Sequence, residues 1–472
     1  MAIESSTPTT PASAPAQNRK VLNLGALLAA SIGVIVAQLG MVALMQGVGI
    51  GGWGFFLALA IAFALALTNA MAYAELALMM PNGGSLSSYA EAAIGNLPAI
   101  MLVFAGYVTP AIFGLPAELV LADQIVSKVL PVALPQFALP VAVVLIFAVL
   151  NILGTDIFTK VQTALSFTVL VFLLLTGLVA LSGQGAAPLP AGPDAGLLAM
   201  GKDSVTLGLV ALAFWVFVGS EFVTPLLVEA RNPNKDLPRA MIGGLVLIAV
   251  VQVVFALGGA LFVPRATLAT SPIPHLEYVV GVFGPGAGLW FAVLALVATA
   301  SLVNTVLAAV PRMLWGMAMN GQVFSIFKRQ HRRYGTPVVG IVFVATLPLI
   351  GLFWSNGDPG AILPLTIAAS AAWLLAYMLA QVSLMVLRVR HPDMPRPFRM
   401  PGFPLLPVLA IAGMAYVVIN SAPTPEMAPQ IAQYTGVVLV LFALVSTAWV
   451  KFVMKKGLFE PGLPVKTQTR DD

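Results

Sequence analysis

Long apolar segments dominate this chain, and short polar connections separate them. About twelve such segments recur between Leu22 and Val450, each near the ~20 residues that an α-helix needs to cross the hydrocarbon layer of a membrane. The apolar residues run continuously and do not alternate, which predicts membrane-spanning helices and disfavours a β-barrel. The predicted fold class is an all-α polytopic membrane protein. The predicted spans are 22–46, 53–80, 99–121, 139–153, 161–181, 204–228, 240–262, 286–310, 337–353, 361–387, 404–419 and 435–450.

Composition supports a membrane protein. Hydrophobic residues make up 59% and charged residues 9% of the chain, whereas about 25% of the residues in soluble domains are charged. The chain has no cysteine, which excludes disulfides, thiolate metal sites and thiol nucleophiles. Residues 1–20 lack the basic and apolar regions of a signal peptide and are rich in Ser, Thr, Pro and Ala, which predicts a disordered cytoplasmic tail.

The positions of the basic residues predict the orientation in the membrane. If the amino terminus is inside, only Lys128, Lys202 and Arg265 of the 23 basic residues fall in outer connections. This asymmetry predicts an inner or plasma membrane protein with both termini in the cytoplasm, including the tail at 456–472. The net charge of +5 then follows from topology. It predicts contact with anionic lipid and no nucleic-acid partner.

Two apolar spans contain positions at which a helix is easily interrupted. One is the stretch around Val36–Gly40 in the first span, and the other is Phe217–Gly219 in the sixth span. Glu221 follows the second stretch, and a carboxylate inside a membrane span is a candidate functional residue. Interrupted helices in both halves of a chain indicate an inverted-repeat transporter with its site at the midplane. The alternative is that these glycines only allow close helix packing.

Four motifs, which follow one another along the chain in the order typical of the family, resemble the amino acid–polyamine–organocation (APC) permeases. The resemblance covers nearly the whole chain. The motifs are Phe214 to Glu221 with the loop Glu229 to Ala240, Pro311 to Gly321 with Tyr334 to Pro337, Arg390 to Pro401, and Glu75 with Pro81, Gly83 and Gly84. The resemblance implies about twelve helices, of which the first ten form two inverted repeats, at 21–185 and 200–390. Two further helices follow at 391–455. It also implies transport of amino acids or amines by alternating access.

The resemblance also implies roles for individual residues. Glu221 would couple transport to an ion, while Glu75, Glu229 and Arg239 would belong to a cytoplasmic gate or its loops. Trp215 would close over the substrate from the outer side. The main-chain groups of the substrate would be held by Val36, Ala37, Gln38, Leu39 and Gly40, and by carbonyls of Phe217, Val218 and Gly219.

The chain departs from the family pattern at two places that concern coupling and recognition. Gln38 brings a polar side chain where many members have a small residue, so the substrate carboxylate is expected to be held differently. The fifth span, 161–181, has no basic residue, whereas several proton-coupled relatives carry a lysine there. No cofactor is expected, and both a proton and a sodium gradient stay open as the driving force, with Ser301 and Asn304 as candidates for a sodium site or for helix bridging.

The favoured substrate is a small or neutral amino acid. A polyamine or amine carrier of the same superfamily is the alternative, supported by Glu118 and Glu221 as additional anions. An enzyme is not expected because no catalytic constellation is present. His275 and the other two histidines are expected to face solvent, with no metal-ligand spacing. The oligomeric state stays open.

Overall fold

A computed structural model describes residues 20–130, 134–189, 207–422 and 424–463. Within these ranges, the chain forms seventeen α-helices, joined in places by short 3₁₀ or π segments. The α-helices are α1 Leu24–Ile32, α2 Gln38–Gly51, α3 Trp53–Met79, α4 Leu86–Ala93, α5 Asn96–Val103, α6 Thr109–Val129, α7 Ala138–Ile152, α8 Thr155–Leu181, α9 Val210–Trp215, α10 Pro233–Phe262, α11 Arg265–Thr270, α12 Pro274–Phe283, α13 Ala287–Met319, α14 Val338–Ser355, α15 Pro359–Arg390, α16 Leu405–Ile419 and α17 Ala428–Ala448.

The all-helical membrane fold predicted from the sequence is confirmed. In the described ranges, nine helical segments are long and apolar enough to cross a membrane, and Gln38–Gly51, Ala138–Ile152 and Leu405–Ile419 are shorter apolar helices. Their lipid-facing surface is apolar, as at Trp290 and Leu444, which are 73% and 67% exposed. The count of about twelve spans and the repeat boundaries at 185, 200 and 390 stay predictions, and most of residues 1–20 and 464–472 lie outside the described ranges.

Two connections contain more helix than the sequence indicated. The loop between α10 and α13 holds both α11 and α12, and α4 lies between α3 and α5. His275, at the start of α12, is fully buried with its ring 5.1 Å from that of Phe291. The expectation that it faces solvent is therefore wrong, and burial lowers the pKa of His275 to about 3, which favours the neutral ring.

The helix ends where most basic residues lie are joined by main-chain contacts; we call this the basic end. Before α1, the Leu22 N–H donates to the Glu229 carbonyl at 3.0 Å, and the Arg231 N–H donates to the Leu22 carbonyl at 2.9 Å. The two segments therefore form a short parallel bridge. It ties the beginning of the first span to the end of the sixth.

The segment after α17 packs on the same end, against α4 and α5. The Leu97 N–H donates to the Leu458 carbonyl at 3.0 Å, and the Gly462 N–H donates to the Glu91 carbonyl at 3.2 Å. The Glu91 carboxylate lies 3.7 Å from Lys456 Nζ and accepts Gln322 Nε2 at 3.0 Å. Burial raises the pKa of Glu91 to about 7, although the charge of Lys456 opposes the rise.

Candidate functional site

The first span is interrupted between α1 and α2. Residues 33–37 leave the α-helix, with the Val36 N–H donating to the Ile32 carbonyl at 3.1 Å and the Ala37 N–H to the Val34 carbonyl at 3.3 Å. Ala37 precedes the new helix and has no side chain that can cap it. The first amides of α2, those of Gln38 and Leu39, therefore point out of the helix end, where an anion binds well.

The sixth span is interrupted in the same way between α9 and the 3₁₀ segment Ser220–Glu229. Gly219 adopts φ +122°, a conformation that favours glycine. The Val216 carbonyl accepts Gln252 Nε2 at 3.1 Å, whereas the Gly219 N–H donates to the Tyr377 hydroxyl at 3.2 Å. Both predicted interruptions are present.

The two interruptions lie against each other. A Cβ atom added at Gly219 would lie 2.5 Å from Cβ of Val34, so only glycine allows this approach. Val36, Ala37, Gln38, Gly40, Phe217 and Val218 are all buried around the junction, and Leu39 is partly buried. The residues predicted to bind substrate are thus brought together, although nothing tests their binding role.

Glu221 is fully buried beside this junction. One carboxylate oxygen accepts Trp373 Nε1 at 3.0 Å, and the other accepts the Tyr377 hydroxyl at 2.5 Å. Both donors lie on α15, one helical turn apart. Because Tyr377 also accepts the Gly219 N–H, the carboxylate is connected directly to the break in the sixth span.

Aromatic rings surround Glu221. Trp373 is in contact with Phe222 and Tyr107, with ring centroids 5.5 Å and 6.1 Å apart. Trp215 is partly buried, and its ring centroid lies 6.4 Å from that of Trp373. The predicted lid residue is therefore at the edge of the same aromatic cluster. Such edge contacts also stabilise a core, so its role as a lid stays a prediction.

A second polar cluster joins α1, α8 and α13. Ser301 Oγ donates to the Gly33 carbonyl at 3.0 Å, and Ser166 Oγ donates to the Ala29 carbonyl at 2.9 Å. Gln162 Nε2 donates to Ser301 Oγ at 2.8 Å, and Asn304 Nδ2 donates to Gln162 Oε1 at 2.8 Å. Ser301 and Asn304 therefore bridge helices, and Gln162 is a partner that the sequence did not indicate.

Glu75 anchors the loop after α15 at the basic end. It is fully buried, forms an ion pair with Arg388 and lies 3.3 Å from Arg396 Nε. It also accepts the Met400 N–H at 2.7 Å. Glu75 thus holds the loop after α15 in place, and its part in a gate stays a prediction.

Glu229 forms an ion pair with Arg312, a partner that the sequence did not indicate. Arg312 Nε lies 2.8 Å from Glu229 Oε1, and Arg312 also donates to Thr155 Oγ1 at 2.9 Å. Arg239 is exposed on α10 and forms no ion pair with the described residues. The helix that begins at Pro233 carries Arg239 to the surface, and the place of Glu229 and Arg239 in a gate or its loops stays a prediction. No group of three potential metal ligands occurs in the described ranges.

Comparison with known proteins identifies the family. The sequence model described as "Amino acid permease" matches residues 22–448. The branched-chain amino acid permease BcaP of Bacillus subtilis (strain 168) is 25% identical over 379 residues, covering 74% of this chain and 77% of the relative. The serine/threonine exchanger SteT of the same organism is 26% identical over 379 residues, covering 76% and 80%.

Solved structures agree on the fold. The manganese transporter of Eremococcus coleocola, solved in complex with an aromatic bis-isothiourea substituted compound, superposes with a TM-score of 0.56 at 13% identity, covering 91% of this chain and 95% of that one. At this identity the likeness concerns the fold alone. The match over residues 22–448, together with the two adjacent helix breaks, shows that the chain belongs to the amino acid permease family of the APC superfamily.

Proposed function

We propose that this protein is a secondary active transporter that carries small or neutral amino acids across the bacterial cell membrane by alternating access. The observation that carries the proposal is the contact between the two helix breaks at Val34 and Gly219. Broken helices that meet inside a membrane bundle expose main-chain donors and acceptors where the bilayer offers none. Amino acid permeases and exchangers among the relatives support the substrate class.

The chemistry of the two breaks suits an α-amino acid. The amides that begin α2 would bind the α-carboxylate, as helix amino termini do for anions. Carbonyls of Phe217, Val218 and Gly219 would accept the α-ammonium. Trp215 would close over the bound molecule. No bound cofactor is part of the proposal.

A small or neutral side chain fits the surroundings of the breaks. Glu118 and Glu221 are both fully buried there, and an acidic substrate side chain would be repelled by them. The rings of Phe63 and Phe217, 5.5 Å apart, pack beside the junction and favour an apolar or short side chain. A polyamine or amine substrate is not favoured, because the two named relatives are an amino acid permease and an amino acid exchanger.

Coupling and orientation are further parts of the proposal. Glu221 would carry a coupled proton, and the basic end would face the cytoplasm because basic residues are retained there. The ion pairs of Glu75 and Glu229 would then lie on the cytoplasmic side, where they would open and close as parts of a gate.

Uptake by the purified protein in proteoliposomes tests the proposal. The panel should contain labelled leucine, serine, histidine, glutamate, arginine and putrescine. We expect uptake of leucine or serine above that of protein-free vesicles, competition by other neutral amino acids, and no uptake of putrescine. Uptake of putrescine without any amino acid would contradict the proposed substrate class.

A further inference from the structure

A carboxylate from another helix already holds the two amides at which the proposed site would bind an amino acid. Glu118 lies on α6, 80 residues from Gln38 along the chain, and is fully buried. Its Oε1 accepts the Gln38 N–H at 2.8 Å, and its Oε2 accepts the Leu39 N–H at 3.0 Å. A substrate carboxylate bound there would need the same two N–H groups.

This cap differs from an ordinary helix cap. Helices are usually capped by a Ser, Thr, Asp or Asn directly before the first turn, but Ala37 stands there in α2. A cap on a separate helix can leave without unwinding the helix that it caps. Pro116, inside α6 and two residues before Glu118, has no N–H for the helical hydrogen-bond ladder and so weakens α6 near this carboxylate.

The side chain of Gln38 gives a second, independent indication of a ligand. It is fully buried, and its Nε2 donates to Thr299 Oγ1 at 2.7 Å, which in turn donates to Glu118 Oε1 at 3.0 Å. Its Oε1 has no hydrogen-bond partner in the described ranges. A buried carbonyl oxygen without a donor is unfavourable, and the ammonium group of a ligand would supply the donor.

We propose that Glu118 is an internal competitor for the substrate carboxylate and thereby sets the affinity and specificity of the site. The proposal rests on the proposed function, in which the amides of Gln38 and Leu39 bind an amino acid. An amino acid displaces Glu118 from these amides, because two carboxylates at one pair of donors repel each other. A ligand without a carboxylate does not displace Glu118 from the amides. Its affinity therefore does not rise when the Glu118 carboxylate is removed.

The substitution Glu118→Gln tests this competition. Glutamine keeps the size of the side chain but turns an NH₂ group toward one of the two amides, so the internal cap loses a charge-assisted hydrogen bond. We expect L-leucine or L-serine to bind about tenfold more tightly than to the wild type, a change equivalent to about 1.4 kcal/mol. Binding of L-leucinamide and L-serinamide, which lack the carboxylate, should not tighten.

The measurement is titration calorimetry on the purified protein in detergent, with each amino acid paired with its amide. Asp123→Asn is the matched control, because Asp123 is a partly buried carboxylate on the same helix that forms no hydrogen bond or ion pair with the described residues. This control should change neither the affinity for the amino acid nor the affinity for its amide. Unchanged or weaker amino acid binding by Glu118→Gln would overturn the proposal, and so would an equal gain for the amides.

A second variant keeps the test decisive if Glu118→Gln does not fold. Thr299→Val removes one of the three donors to Glu118 and should tighten leucine or serine binding in the same direction, by about fivefold. An unchanged affinity for leucine and serine in Thr299→Val would also overturn the proposal that Glu118 competes with the substrate carboxylate. If the wild type binds and transports no amino acid, the proposed function falls together with this inference. If the wild type binds one and neither variant gains affinity, only this inference falls.

Discussion

Replacing Glu221 with glutamine and with alanine separates proton carriage from a structural role. The carboxylate accepts Trp373 Nε1 at 3.0 Å and the Tyr377 hydroxyl at 2.5 Å, with no exposure to solvent. Alanine leaves both donors without an acceptor. Each buried unsatisfied donor costs about 1–3 kcal/mol, so Glu221→Ala should lose about 2–6 kcal/mol of stability.

Glutamine should be much better tolerated. Its single carbonyl oxygen can still accept Trp373, while its NH₂ group faces the Tyr377 oxygen, which already accepts the Gly219 N–H. The cost is then close to one hydrogen bond, about 1 kcal/mol. In thermal unfolding experiments in detergent, the melting temperatures of the wild type and Glu221→Gln should therefore lie close together. The melting temperature of Glu221→Ala should lie well below both.

A transport assay tests whether Glu221 carries the proton that is coupled to transport. Wild type and Glu221→Gln in proteoliposomes should be compared for accumulation of a labelled amino acid under an imposed pH gradient, across about pH 5–8. If Glu221 carries the coupled proton, the wild type concentrates the substrate inside the vesicles, and its rate of uptake varies with pH. The glutamine variant only equilibrates substrate, and its rate does not depend on pH. Accumulation by Glu221→Gln with an unchanged pH profile would refute proton carriage and leave Glu221 a structural acid.

Three further predictions address the lid, the carboxy-terminal segment and the orientation. Trp215→Ala should fold normally but weaken substrate binding by about 1–3 kcal/mol through lost apolar and cation–π contact; wild-type affinity by calorimetry would return Trp215 to a packing role. Because the pKa of Glu91 is raised from 4.5 to about 7, its contribution to folding is fully present below pH 4.5 and is lost as pH rises through 7. Glu91→Gln should thus unfold like the wild type near pH 4.5 and be more stable by at most about 3 kcal/mol above pH 7; a difference in melting temperature that does not depend on pH would contradict this. Cysteines placed at Ser6 and Gln468, in a chain without native cysteine, should resist impermeant thiol reagents added to intact cells. Labelling of either would contradict the topology with both termini in the cytoplasm.

The spans could be predicted because each is encoded locally. A continuous apolar run such as 240–262 has only one stable form in a bilayer, a helix with its own hydrogen bonds satisfied, and the structure gives α10 there. Local sequence also indicated the two breaks, since Gly219 next to Ser220 weakens a helix. The helices begin or end several residues away from the predicted bounds, as at Pro233, because polar first turns extend beyond the apolar run.

Partners across the bundle could not be predicted from local sequence. Glu221 meets Trp373 and Tyr377 from 152 and 156 residues away, and nothing near Glu221 indicates α15. The spacing of Trp373 and Tyr377, four residues apart on one helix face, is the only local signal of a shared partner. The partner of Glu229 was hidden in the same way, because Arg312 lies 83 residues away along the chain.

The contact between the two helix breaks is tested most directly by adding one methyl group at Gly219. In Gly219→Ala the new Cβ atom would lie 2.5 Å from Cβ of Val34, at a φ of +122° that alanine disfavours. Gly243→Ala is the control, because a Cβ atom there meets nothing within 4 Å and the position is helical. Amino acid uptake in proteoliposomes, at equal protein incorporation, should be lost in Gly219→Ala and kept in Gly243→Ala. Normal uptake by Gly219→Ala would contradict the account that the substrate is carried at this junction.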